Sequence, residues 1–145
     1  VSNAHVGREV EQRVFDYFKR EIPDLRLNFP IEVGHSQKKS HSYDLGSETE
    51  KVIIECKSHT WTKGNNVPSA KLTTWDQAML YFFLSPKIYR KMFVVVRDVN
   101  ERTNETLLAY YLRLHGHLIP EGVEFWEWDA EYPVLFPKGQ WKKLS

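Results

Sequence analysis

The sequence predicts an α/β fold in which a mixed β-sheet is flanked by helices. An amphipathic helical pattern opens the chain, and strand-like segments follow it. In the second half, short apolar runs rich in β-branched residues alternate with longer segments of helical period. Alternation of this kind is typical of a sheet that has helices packed on both faces.

The first half predicts one helix followed by strands. Residues 5–21 predict an amphipathic helix, since Val10, Val14 and Phe18 recur at helical spacing, and Pro23 ends it. Residues 25–33 predict a first strand. Residues 34–42 are polar and basic without a period, which predicts a mobile loop. Two short strands, residues 43–46 and 51–58, then predict a hairpin that turns at residues 47–50.

Helices and strands alternate in the second half. A loop at residues 60–68 leads to a helix that Ser69 caps and that ends before Pro86. A buried strand at residues 92–96, a helix at residues 104–115 and a last strand at residues 123–128 follow. The Pro-rich, aromatic tail predicts irregular packing.

Composition limits the class of protein. The length of 145 residues predicts one α/β domain over residues 5–145, with residues 1–4 set apart because Ser2-Asn3-Ala4 resembles a remnant of tag cleavage. A formal net charge of +1 gives no general attraction for nucleic acid. The single cysteine excludes an internal disulfide and multi-cysteine metal sites. Because there is no signal peptide and no apolar run near about 18 residues, we expect a cytoplasmic protein that does not enter a membrane.

Asp44, Glu55 and Lys57 carry the strongest chemical signal. Glu55 follows the apolar Val-Ile-Ile run of a predicted strand, where an ionised group needs a partner or a metal. Because side chains alternate along a strand, Glu55 and Lys57 share one face. Depending on where the hairpin turns, Asp44 lies directly opposite Glu55 or diagonal to it. Both registers predict two carboxylates on one face of the sheet.

Two convergent carboxylates suit Mg²⁺, which takes one or two protein carboxylates and keeps its other positions for water and phosphate oxygens. Lys57 can neutralise a phosphate oxygen or help to deprotonate a bound water. The Cys56 carbonyl, between Glu55 and Lys57, is a further candidate ligand. The plainer interpretation is an ion pair at a strand edge, which contributes little to stability.

Three side chains on predicted helices extend this site. Glu11 follows the helical spacing of Val14 and Phe18, so an acid lies on the face that packs against the core. Gln77 and Tyr81 are four residues apart on the second helix and share a face, from which they can bond a phosphate or a bound water.

Taken together, Glu11, Asp44, Glu55-Cys56-Lys57 and Gln77-x-x-x-Tyr81 resemble the PD-(D/E)XK, or restriction-endonuclease-like, nuclease superfamily, nearest its RecB-like exonuclease branch. The resemblance covers residues 6–92. It implies a mixed sheet of about four main strands flanked by helices, Mg²⁺ or Mn²⁺ held by Asp44 and Glu55, Glu11 as an outer ligand, and Lys57 as the catalytic lysine. Asp44 follows Tyr43 where the family has proline. The cysteines that hold an iron–sulfur cluster in some relatives are missing, so no cluster is expected.

The loops around the site supply candidate substrate-binding groups. Lysines bond phosphates, and an exposed tryptophan can stack on an unpaired base. The candidates are Lys38, Lys39, His59, Trp61, Lys63 and Lys71, together with Tyr81. Both loops also have the composition of ordinary solvated turns.

The sequence thus predicts a Mg²⁺- or Mn²⁺-dependent deoxyribonuclease, in which Glu11, Asp44, Glu55, Lys57 and Gln77 are the catalytic candidates. DNA is the expected partner. A small nuclease usually depends on a second copy or a partner domain for specificity, so a homodimer or a partner protein is a further expectation. The alternative is an inactive nuclease-fold module that binds nucleic acid or a protein.

Overall fold

A computed structural model of the chain describes residues 3–129 and 132–136. The described part contains one six-stranded mixed sheet, three α-helices and a short 3-10 turn. The helices are α1 (Asn3–Lys19), α2 (Ser69–Leu84) and α3 (Leu107–His115), and the strands are β1 (Arg26–Val33), β2 (Lys39–Ser47), β3 (Val52–Lys57), β4 (Arg90–Val96), β5 (Val123–Asp129) and β6 (Tyr132–Phe136). The predicted mixed α/β class is confirmed.

The strands are ordered in space as in sequence. β1, β2 and β3 are antiparallel neighbours, β3, β4 and β5 are parallel, and β6 returns antiparallel to β5. The parallel pairs are joined by α2 and α3, because parallel neighbours need a crossover connection. β3 therefore lies where the antiparallel half of the sheet meets the parallel half.

Helices cover both faces of the sheet. On one face, Val14 and Phe18 of α1 pack with Ile54 of β3 in a group of buried side chains that we call the α1 cluster. On the other face, Trp75 of α2 packs with Ile53 of β3 and with side chains of α3 in the α2–α3 cluster. Both isoleucines are fully buried, and burial of such a side chain contributes about 1.5–3 kcal/mol. Because β3 packs against helices on both faces of the sheet, the position of its carboxyl end is well defined.

Two sequence expectations about a loop and a helix cap differ from the structure. The predicted loop at residues 34–42 is shorter, because β2 begins at Lys39 and pairs with β1 as far as Lys39↔Val33. This pairing, rather than composition, makes the polar segment a strand. Ser69 is the first residue of α2 and not its cap; that position is Pro68, which makes no side-chain capping bond.

The tail is more regular than expected, because residues 132–136 form β6; the rest of it lies outside the described residues. α1 begins at Asn3, inside the stretch set apart as a remnant of tag cleavage. Among the described helices, none is both long enough and apolar enough to cross a membrane.

Candidate functional site

The end of β3, the adjoining part of β2 and the first turns of α1 enclose a cleft of about 230 Å³. Its acidic side chains are Glu11, Asp44 and Glu55, and Lys57 adds a cation. α1 provides the first, β2 the second, and β3 the other two. The structure therefore brings these four sequence candidates together in one cleft.

At Asp44 and Glu55, hydrogen bonds to side chains take the place of backbone pairing between β2 and β3. β2 and β3 pair from Ser47↔Val52 to Leu45↔Ile54, and the same register continued places Asp44 directly opposite Glu55. Here the Cys56 N–H donates to Asp44 Oδ2 at 2.8 Å, and the Asp44 N–H donates to Glu55 Oε1 at 3.4 Å. Both carboxylates are thus oriented by the backbone of the neighbouring strand.

An irregularity in β1 accompanies this break in the ladder. Asn28 has φ 53°, the left-handed conformation that Asn tolerates better than most residues. β1 pairs with β2 on both sides of it, through Leu27↔Leu45 and Phe29↔Tyr43. Tyr43 packs with the α2–α3 cluster and Leu45 with the α1 cluster, although regular alternation would place them on one face. The reversal of faces falls at Asp44.

Burial raises the pKa of the three acidic side chains. For Glu55, burial and then the neighbouring charge of Asp44 raise the pKa to about 8, against the opposing effect of Lys57. For Glu11, burial and then Asp44 raise the pKa to about 7. Burial also raises the pKa of Asp44, although the Cys56 N–H and Lys57 oppose it. Crowded acids of this kind ionise together only when a cation offsets their repulsion.

Lys57 supplies part of that positive charge. Its Nζ lies 3.9 Å from Glu55 Oε2, and its side chain is only 18% exposed. Arg8, which lines the same cleft, adds a second cation to balance the three carboxylates. The acids of the cleft therefore still outnumber its cations.

The donor set fits a hard divalent cation in chemistry and number. Asp44 and Glu55 offer carboxylate oxygens, and Mg²⁺ needs only one or two of these. In residues 3–129 and 132–136, no three His, Cys, Asp or Glu side chains form a ready metal cage. The carboxylates of Asp44 and Glu55 instead accept bonds from the backbone, so a cation would share them with these donors.

Cys56 contributes its backbone to the site. Its N–H bonds Asp44, while its side chain packs against the α1 cluster. Burial raises the pKa of the thiol well above its ordinary value, and the charges of Asp44 and Glu55 add to this effect. A protonated thiol is a poor nucleophile, as expected for a packing residue. The carbonyl remains a candidate ligand by sequence position alone.

Gln77 and Tyr81 differ in their relation to the cleft. Gln77 is exposed on α2, and no hydrogen bond within the described residues joins it to the acids. Tyr81 is half-buried and stacks on His41, with 3.7 Å between ring centroids. Burial lowers the pKa of His41, and the charge of Lys57 lowers it further. Tyr81 thus contacts His41, and neither Tyr81 nor Gln77 lines the cleft.

A second cleft of about 240 Å³ adjoins the first at Ser58, which lines both. His59 and Lys71, two of the predicted substrate-binding groups, line this second cleft. Trp61 also lines it, but it is not the exposed stacking surface that was expected. Its side chain is 9% exposed, because its backbone and indole N–H groups both donate to Asp98.

The other loop lysines lie apart from both clefts. Lys38 donates to the Gly34 carbonyl at 2.8 Å. Lys39 opens β2, five residues from Asp44, which is about 17 Å along an extended strand. Lys63 is exposed in a tight turn. None of the three lines either cleft.

Two further side chains were missed as site candidates. Arg8 lines the cleft one helical turn before Glu11, and the i, i+3 spacing would have indicated it. His41 belongs to β2, which extends further than expected, and the charge of Lys57 contributes to its lowered pKa. In a regular strand His41 would share a face with Tyr43, two residues further on. The polar composition of residues 34–42 predicted a loop instead, so this relation was not recognised.

Comparison with protein-family models, with curated proteins and with solved structures finds no match to this chain. Its function must therefore be inferred from the residues of the site.

Proposed function

We propose that the protein is a metal-dependent deoxyribonuclease of the restriction-endonuclease-like type, which hydrolyses DNA phosphodiester bonds. The observation that supports this most strongly is the convergence of Glu11, Asp44, Glu55 and Lys57 in one cleft. A structural ion pair would need one acid beside one lysine. Three half-buried acids beside Lys57 and Arg8 still outnumber the cations of the cleft. A divalent cation would offset this excess of negative charge.

In this proposal, Asp44 and Glu55 hold Mg²⁺ or Mn²⁺, and Glu11 adds negative charge from α1. When bound, such an ion acts as a Lewis acid on the phosphate and lowers the pKa of a coordinated water. Lys57 lies beside Glu55, where its ammonium can bond a phosphate oxygen and orient the attacking water. The backbone bonds of Asp44 and Glu55 keep both carboxylates oriented before substrate arrives.

A second candidate is an inactive module of the same fold that binds nucleic acid or a protein partner. The specific observation in its favour is that the described residues form no three-ligand metal cage. The formal net charge of +1 also gives no broad electrostatic attraction for DNA.

Cleavage assays with matched variants test the choice. The native chain is expected to degrade plasmid or single-stranded DNA with Mg²⁺ or Mn²⁺ and to stop with EDTA. Asp44→Ala and Lys57→Ala should each lower the rate by about 100-fold or more. Glu50→Ala, an exposed acid of the same hairpin, should cleave like the native chain.

Two results contradict the proposal: no cleavage with any metal, or cleavage that survives both Asp44→Ala and Lys57→Ala. Retardation of DNA without cleavage would then favour the inactive binding module.

A further inference from the structure

We propose that the second cleft is a phosphate-binding subsite, which holds the backbone phosphate next to the one that is cleaved. This inference rests on the proposed nuclease function for the identity of the ligand. It assigns the chain a polynucleotide as substrate, because a small phosphodiester has no second phosphate to offer.

The first argument is the contrast in charge between the two adjoining clefts. The acids Glu11, Asp44 and Glu55 line the first cleft, whereas none of the residues that line the second is acidic. The second cleft instead carries Lys71, His59 and the hydroxyls of Ser58 and Thr60. Donors without a competing carboxylate favour an anion. The two clefts thus suit a cation and an anion, side by side.

The second argument is the fixed orientation of His59. The indole N–H of Trp75 donates to His59 Nδ1 at 2.9 Å, and Trp75 is fully buried in the α2–α3 core. Since Nδ1 accepts this bond, the ring proton of neutral His59 is on Nε2. The two rings are also nearly parallel, at 27°. The core thus presents His59 as a donor, with its acceptor nitrogen already used.

The third argument is the distance along the chain. His59 follows Lys57 by two residues, a span of at most about 7 Å. Ser58 between them lines both clefts. A nucleic-acid strand carries one phosphate per nucleotide, with a rise of about 3.4 Å along the helix axis. A strand whose scissile phosphate meets Lys57 can therefore place a neighbouring phosphate near His59 and Lys71.

The test compares a substrate with neighbouring phosphates and one without. His59→Ala and Lys71→Ala should each lower kcat/KM for a single-stranded oligonucleotide by about ten-fold. Both variants should lose less activity on bis(p-nitrophenyl) phosphate than on the oligonucleotide, because this substrate has one phosphodiester only. Lys87→Ala is the control, since Lys87 is an exposed lysine beyond α2 that lines neither cleft. Equal losses on both substrates, or no loss on the oligonucleotide, overturn the subsite.

A binding measurement separates this inference from the proposed catalysis. Fluorescence anisotropy of a labelled oligonucleotide in EDTA reports binding without cleavage. Lys71→Ala should weaken binding and reduce the salt slope of log K by about 1, and His59→Ala should weaken binding. If cleavage fails for the native chain but these losses appear, the subsite stands and the nuclease proposal falls. If native protein and both variants bind alike, or none binds, the subsite is wrong.

Discussion

Asn28 lies outside the acidic site, in the part of β1 that runs beside Asp44. Its left-handed backbone interrupts β1 opposite the point where β2 changes the faces of its side chains. Regular alternation would place Tyr43 and Leu45 on one face of the sheet, yet they pack in clusters on opposite faces. Between them, Asp44 accepts the N–H of Cys56 in β3. The left-handed residue of β1 thus lies level with the segment of β2 that carries one of the site carboxylates.

Substitution of Asn28 tests how much its left-handed backbone conformation matters for stability. Asn28→Val should lower the free energy of unfolding by about 1–2 kcal/mol, because a β-branched residue is strained at φ 53°. Asn28→Gly should keep the native stability within a few tenths of a kcal/mol, since glycine adopts this conformation freely. Urea unfolding measures both. Equal destabilisation by the two substitutions would mean that the side chain of Asn28, and not its backbone conformation, matters.

At the level of single residues, alternation along β3 was enough to place Glu55 and Lys57 beside each other. Helical spacing likewise placed Glu11 on the side of α1 that faces the sheet. Trp61 was misjudged because its burial depends on Asp98, a residue far away in sequence. Gln77 is exposed on α2 and does not line the cleft of the acids, so its catalytic role stays a prediction. Local sequence patterns do not predict contacts between residues that are far apart in the chain.

Among the elements, the β2–β3 turn is fastened to the connection between α1 and β1. Asp24 in that connection accepts the Ser47 hydroxyl at 2.6 Å and the Thr49 N–H at 3.1 Å, and it also bonds the Thr49 hydroxyl. These bonds lower the pKa of Asp24 to about 2, with Ser47 as the largest cause. The anchor links the helix that carries Glu11 to the hairpin that carries Asp44 and Glu55.

The anchor should give a defined pH dependence of stability. Because the pKa of Asp24 falls from an ordinary 3.8 to about 2 on folding, its contribution is complete above pH 3.8 and is lost as the pH falls through 2. The native chain should therefore unfold less readily than Asp24→Asn at pH 6, and the difference should shrink between pH 4 and pH 2. Urea titrations at each pH measure it. A difference that stays constant over this range would rule out an ionised Asp24 as the anchor.

Regular elements with a clear apolar period could be predicted from the sequence, as α1, α2, β3 and β4 illustrate. β2 was recognised only in part, because its first residues are polar and become a strand only by pairing with β1. The start of α3 was placed too early, since Thr106 caps it by accepting the Ala109 N–H at 3.0 Å. Pairing and capping depend on partners that composition does not reveal.

For the whole molecule, the candidate site draws on the first half of the chain, while the parallel strands β4 and β5 support β3 from the side. All proposed ligands and binding groups lie between Arg8 and Tyr81. The α1 and α2–α3 clusters hold the same strand from opposite faces. Folding therefore assembles the acids at a cost that a bound cation would offset.

Binding of Mg²⁺ should stabilise the fold as a whole. At a Mg²⁺ concentration of about 100 times Kd, mass action adds about 2.7 kcal/mol to the free energy of unfolding. For a chain of this size, Tm should rise by roughly 5–10 °C. Differential scanning calorimetry measures the shift, which Asp44→Ala should abolish and Glu50→Ala should retain. An equal shift in all three proteins would indicate that Mg²⁺ acts elsewhere.

The hydrogen bond between Trp75 and His59 also connects the second cleft to a fluorescent side chain of the core. Indole emission responds to a change in the charge or bonding of a neighbouring imidazole, and Trp75 is fully shielded from bulk quenchers. An anion that bonds His59 Nε2 should therefore change the fluorescence of a tryptophan that it never touches. We therefore expect the emission of Trp75 to report whether an anion occupies the second cleft.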